Sequence, residues 1–356
     1  QPIWLERADC AVVESGQLTT WIGAGRLQGV AGFDLLEGPT TLSSGGLRDL
    51  RPLAQAGHPP DEILNRLVVL RLRAIADLLL PLYERTNGAA GFACCDLLAS
   101  PSTDLLPAAR SLWDLVNRPN VMLGVPATAQ GLAALEAATT EGINIHVAAV
   151  GSLERYGEVL DASLRGLERR HAAGLSLGHV ASAASMDLRA VETHVGERLR
   201  AIAQDEPLLS ERAQALSGRA GTALAMSVAA QHRAVLTNPG FLRLAELGAR
   251  LQRLVLFGLP RQTVPAGSAG SAEEDPAGGP ILGADADTLA SGQVVQNWLA
   301  GLEGDLSAPR AEFAALESLG IPSAETCARV EAAFLRGVVQ RHHHWLGVVR
   351  RQAREA

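Results

Sequence analysis

The feature that most constrains this chain is an alternation along its length. Short runs of β-branched and apolar residues recur, each followed by a longer amphipathic stretch, which is the pattern of βα units laid on a parallel sheet. The runs predict strands at residues 2–6, 29–33, 92–97, 121–127, 144–150, 179–185 and 251–258, with a weaker eighth near 287–290. Eight such units close into an α/β fold, a (β/α)8 TIM barrel. The helices between them carry their own signals. Pro60-Asp61-Glu62 opens one with an acidic first turn, and its apolar residues Leu64, Leu67, Val68 and Leu72 recur at helical spacing. Another is expected over about 152–170, with Ser152 as its N-cap. Residues 308–356 read as two or three extra C-terminal helices. A length of 356 residues, 47% of them hydrophobic, suits a single barrel domain over 1–356. One stretch breaks the rhythm. Residues 263–286 are rich in Gly, Ala, Ser and Pro with little to bury, and are expected to form a flexible loop on the face where barrel active sites lie.

Charge and cysteine usage narrow the function classes. A net charge of −7 argues against nucleic acid, which wants a basic face. No apolar run is long enough to span a bilayer, and Gln1-Pro2-Ile3-Trp4-Leu5-Glu6 has neither the basic nor the apolar region of a secretory signal. Cys10, Cys94, Cys95 and Cys327 show no C-x-x-C spacing, so a disulfide framework is not expected and a reducing cytoplasm is. The expected partner is a small-molecule substrate, with a homodimer allowed and neither nucleic acid nor membrane. All 31 basic residues are arginine. With no lysine in the sequence, no lysine amine can form a Schiff base.

Several strings then fit one family in order: Pro2-Ile3-Trp4-Leu5, Leu-Tyr-Glu-Arg-Thr at 82–86, Arg118-Pro119-Asn120, Val125-Pro126-Ala127-Thr128, Glu141-Gly142-Ile143-Asn144, Ser152-Leu153-Glu154-Arg155-Tyr156 and Gln252-Arg253. By these motifs the chain resembles transaldolases of the longer bacterial type over nearly its whole length, which implies the same barrel. The resemblance also implies a Schiff-base lysine on the fourth strand, just before Val-Pro-Ala-Thr; the matching residue is Gly124. The family's Asn-Pro pair on strand two matches Phe33-Asp34. Its strand-five Asn and Thr match His146 and Ala148, and a nearby aromatic matches Gly151. The strand-six serine persists as Ser185, the aromatic after it matches Asp187, and the phosphate-binding arginine falls at Ala190, one place from Arg189. The strand-seven Ser/Thr-rich stretch gives way to residues 257–261, including Leu259 and Arg261. Two carboxylates persist with their lengths exchanged, as Glu6 and Asp96.

These positions converge on one barrel mouth. Phe33, Cys94, Gly124, Ala148, Gly151, Ser185, Met186, Leu259, Arg189 and Arg261 are the expected substrate-binding lining, roomier where glycine replaces lysine. Glu6, Asp34, Asp96, His146 and Asp187 are the expected catalytic set, since crowded carboxylates raise one another's pKa and a histidine can accept the proton. The expectation is a repurposed enzyme, not a transaldolase: an acid–base lyase, isomerase or cyclase acting on a small apolar or weakly phosphorylated substrate in specialised metabolism. Two alternatives stay open. One is a non-catalytic pseudo-transaldolase that binds a metabolite or protein. The other is a metal-dependent aldolase or isoprenoid-diphosphate cyclase with Mg²⁺ on Asp34, Asp96, His146 and Asp187. His342-His343-His344 is expected to be plain helix surface, because consecutive helical residues diverge by about 100°. Ser43-Ser44-Gly45-Gly46 lacks the lysine and the spacing of a phosphate loop.

Overall fold

The computed structural model describes residues 3–37, 40–97, 104–258, 280–291 and 306–356. Eight parallel strands close into a barrel: β1 (Ile3–Leu5), β2 (Gly29–Val30), β3 (Phe92–Asp96), β4 (Val121–Pro126), β5 (Ile145–Ala148), β6 (Ser182–Asp187), β7 (Arg253–Phe257) and β8 (Ile281–Ala284). The ring is shut where β8 pairs with β1 in the register Ile3↔Leu282. This is the (β/α)8 barrel expected from the alternation.

Strand faces divide the core into two layers, because successive side chains point to opposite sides. Trp4, Phe92, Cys94, Met122, Ala183, Val255 and Phe257 fill the barrel interior. Their neighbours Leu5, Ala93, Cys95, Leu123, Ala184, Met186 and Leu256 face the surrounding helices. Buried on both faces, the strands read as continuous apolar runs rather than as an alternating pattern.

The helices are α1 (Ser44–Gln55), α2 (Pro60–Arg85), α3 (Leu105–Val116), α4 (Ala129–Glu141), α5 (Leu153–Ala172), α6 (Leu188–Asp205), α7 (Ala220–Leu236), α8 (Ser307–Ser318) and α9 (Ser323–Glu355), besides several shorter ones. The expected helix starts hold. Asp61 and Glu62 occupy the first turn of α2, where negative charge suits the exposed N–H groups. Ser152 accepts from the Arg155 amide at 3.1 Å at the head of α5. Two short helices, Cys10–Glu14 and Gln17–Gly23, join β1 to β2, and an antiparallel ribbon, Leu36–Glu37 with Thr41–Leu42, leads to α1. Among the described residues no helix is long and apolar enough to cross a membrane.

Two strand expectations need correcting. The sixth strand, expected at 179–185, runs Ser182–Asp187. The eighth, expected near 287–290, is Ile281–Ala284, and residues 287–290 belong to the helix Ala286–Ser291. The cause is Gly283, which weakens the strand signal of Ile-Leu-Gly-Ala. A Cβ at that position would sit 1.8 Å from the Phe257 ring, so the ring can fill the barrel only where the facing strand has no side chain. Strand β8 therefore claims part of the expected 263–286 loop, and 263–279 lie outside the described residues.

Candidate active site

The last residues of the strands and the loops after them meet at one end of the barrel, and α9 crosses that end. Strand register sets the lining. Asp96 pairs with Gly124 and Gly124 with His146, three adjacent strands in one rung. Alternation places Cys94 and Asp96 on the inner face of β3, His146 and Ala148 on that of β5, and Ser185 and Asp187 on that of β6.

Each carboxylate at the mouth already has a partner. Asp96 accepts from Arg341 Nη2 on α9 at 2.7 Å, with both side chains mostly buried. Asp34 accepts from the Trp345 indole at 2.9 Å, and the Trp345 ring stacks on Phe33 with centroids 6.3 Å apart. Arg189 Nη2 donates to both Glu6 oxygens at 2.8 and 2.7 Å. Asp187 caps α6, accepting from the Arg189 and Ala190 amides. Arg7 donates to the Phe33 carbonyl at 3.0 Å. Burial pulls Arg341 below the ordinary arginine value and the charge of Arg7 adds to this, while Asp96 opposes both.

His146 is buried beneath this layer. Its Nε2 lies 2.9 Å from the Ser185 hydroxyl, its Nδ1 has no partner, and Trp4 packs edge-on 6.4 Å away. Burial pushes its pKa down to about 4 against a smaller opposing pull from Asp96. The imidazole is therefore neutral near pH 7 and a weaker base than the sequence suggested. One residue pair down β3, the buried Cys94 thiol is pushed well above its ordinary value by burial. It packs the barrel interior, and Cys95 points to the opposite face.

Three expectations about the lining change. Gly124 does not open a side-chain-sized cavity, because a Cβ there would lie 2.6 Å from Asp96 Oδ1 and 2.8 Å from Asp96 Cα; the carboxylate fills the space. Gly151 is closed off by α9, with Cys327 Cα 2.8 Å from where its Cβ would be. Met186 packs with the helical layer, since its neighbours Ser185 and Asp187 take the inner face of β6. Leu259 and Arg261 lie outside the described residues. Ala148 is buried on the inner face, paired with Pro126.

The metal expectation also fails on geometry. Among the described residues no three His, Cys, Asp or Glu side chains converge as donors. Asp34, Asp96 and Asp187 are instead turned toward an indole, a guanidinium and backbone amides. His342 to His344 lie within α9 with His343 and His344 exposed.

The sequence reading missed Arg7, Arg341 and Trp345. A usable signal existed for the last two: they stand four apart and so share one helix face. The histidine run between them drew attention to the wrong residues.

Residues 45–234 match the Transaldolase/Fructose-6-phosphate aldolase family. Among similar proteins, the transaldolase of Thermobifida fusca (strain YX) is 36% identical over 256 residues, covering 70% of this chain and 68% of that protein. Transaldolase 1 of Streptomyces avermitilis is 34% identical over 255 residues, 70% of this chain and 66% of that protein. The transaldolase of Thiobacillus denitrificans is 32% identical over 259 residues, 72% of this chain and 70% of that protein. These relatives overturn the expectation of a repurposed lyase, isomerase or cyclase, along with its metal-dependent cyclase alternative. Proteins this similar over this much of the chain are named for transaldolase and point to that function. With barrel, motifs and relatives in agreement, the chain belongs to the transaldolase/fructose-6-phosphate aldolase family.

Proposed function

We propose that this chain has a transaldolase-type function, taking a phosphorylated ketose of the fructose 6-phosphate class at the barrel mouth and transferring its three-carbon unit to an aldose phosphate. The observation that carries this reading is the Asp96–Arg341 pair, 2.7 Å apart and packed against Gly124, the residue that matches the family's lysine. It supplies a proton acceptor and a fixed positive charge at the reacting position.

With no lysine in the sequence, the electrons released by aldol cleavage need a sink other than a lysine iminium. In our reading the C4 hydroxyl gives its proton to Asp96 and the C3–C4 bond breaks. The electron pair moves through C2 onto the former carbonyl oxygen, and the aldehyde departs. The Arg341 guanidinium faces the resulting enediolate as a preorganised charge. Attack of C3 on the acceptor aldehyde, with return of the proton from Asp96, closes the cycle. Arg189, half-exposed and already bound to the Glu6 carboxylate, supplies the grip for substrate phosphate.

The assay is transfer from fructose 6-phosphate to an aldose phosphate, run with and without borohydride. The reading expects turnover in the wild type that survives borohydride and falls about 100-fold or more in Asp96→Asn, as for loss of a positioned proton acceptor. Borohydride inactivation that depends on substrate would sink the enediolate route. Absence of both transfer and saturable binding of fructose 6-phosphate would sink the function. The reduced, buried cysteines support a cytoplasmic location, which recovery of the protein in the membrane or secreted fraction would refute.

A further inference from the structure

A cleft of about 450 Å³ lies apart from the lining described above, between the helix Cys10–Glu14, the ribbon, α1 and α2. Its polar wall holds two guanidinium groups and two carboxylates, Glu14 and the half-buried Asp49. Arg71 is buried to 9% exposure and donates through Nη2 to Ser43 Oγ at 2.8 Å and Glu14 Oε1 at 3.1 Å. Arg48 is exposed and has no ion-pair partner among the described residues; its Nη2 lies over Gly45, as does Glu14 Oε1. Ser44 donates to the other Glu14 oxygen at 3.0 Å. The opposite wall is apolar, with Leu67 buried and Leu70 left 41% exposed.

Glu14 is thus an internal anion on a set of donors suited to an external one. Burial works to raise its carboxyl, and hydrogen bonds from Ser43, Arg71 and Ser44 outweigh that and hold it below its ordinary value. Guanidinium groups and hydroxyls that satisfy a carboxylate satisfy a phosphate dianion by the same charge-assisted bonds. Glu14 is the last residue of a five-residue helix with its side chain about one-third exposed, so it can turn outward without disturbing the core. Arg48 remains to pair with the extra charge that phosphate brings. The exposed Leu70 beside the donors gives the ligand's body an apolar seat.

We propose that this cleft is a second binding site, specific for a phosphate monoester with an apolar body, in which Glu14 is the occupant that the ligand displaces. The fold thereby gives the Ser43–Gly46 run a role that its spacing alone did not indicate.

The test is calorimetric titration of the whole chain with phenyl phosphate, and with inorganic phosphate for comparison. Saturable binding is expected, weaker for inorganic phosphate. Glu14→Gln should tighten it about tenfold by removing the competing charge, and Arg48→Ala should weaken it about fivefold or more. Glutamine keeps the size of Glu14 and Arg48 is exposed, so melting curves should report both variants folded. Arg189→Ala, at the barrel mouth, should leave the Arg48-dependent part of this binding unchanged. No saturation in either wild type or Glu14→Gln overturns the proposal, as does a Glu14→Gln variant that binds no tighter. Dependence on Arg189 with indifference to Arg48 assigns the binding to the mouth and also overturns it. Equal affinity for the two phosphates removes the apolar half.

Discussion

His146 shows how burial rewrites a residue's chemistry. In sequence it is a histidine at an active-site position, a natural proton acceptor. In the fold it is 3% exposed, with one nitrogen on Ser185 and the other unpartnered, and its pKa falls to about 4. An unfolded histidine titrates near its ordinary value of 6.5. Between these values the unfolded state binds more protons, so stability rises with pH across that window and is lost on acidification. The full effect of this one group is roughly 3 kcal/mol. Urea midpoints followed from pH 7 to pH 4 should therefore slope more steeply in the wild type than in His146→Gln. Parallel slopes would mean that the imidazole is hydrated in solution. Gly124 teaches the same lesson from the other side. Losing a side chain opened no space, because Asp96 on the neighbouring strand takes it.

At the scale of elements, α9 ties the mouth together. Arg341 and Trp345, one turn apart, reach Asp96 at the end of β3 and Asp34 after β2, so one helix pins two strand ends. Trp345→Phe keeps the stack on Phe33 but removes the indole donor, and should cost about 1 kcal/mol of unfolding free energy. Arg341→Ala leaves a mostly buried carboxylate unpaired and should cost more, about 2–3 kcal/mol after allowing for its partial exposure. Chemical denaturation of the two variants measures both. A smaller loss in Arg341→Ala than in Trp345→Phe would show that Asp96 is solvated without its partner. Local signals carried over well where one element suffices: the acidic first turn of α2 and the Ser152 cap of α5 are as read. They failed at β8, where the demand for glycine comes from a ring on the next strand.

Across the whole molecule, the four cysteines report on how the barrel opens. All are free and buried, with Cys94 and Cys95 back to back in the two layers of β3 and Cys10 and Cys327 on peripheral helices. Burial raises every one of these thiols, Cys95 to about 12, so a thiol reagent needs an opened structure to react. Labelling under native conditions should modify Cys10 and Cys327 first, through local fraying, and Cys94 and Cys95 only at the rate of global unfolding. Early labelling of Cys94 or Cys95 would show that the barrel opens without unfolding. The limits of sequence follow from the same architecture. The alternation of apolar runs and amphipathic helices determined the barrel, because each βα unit buries its faces only by stacking on its neighbours. Motif order determined the family, and the absence of lysine removed one chemical route. Only the tertiary structure decided which partner each mouth carboxylate holds, that Asp96 fills the place beside Gly124, and that a helix more than 200 residues downstream supplies Arg341. Those contacts depend on side chains from distant strands and a closing helix meeting at one point, and no local pattern encodes that meeting.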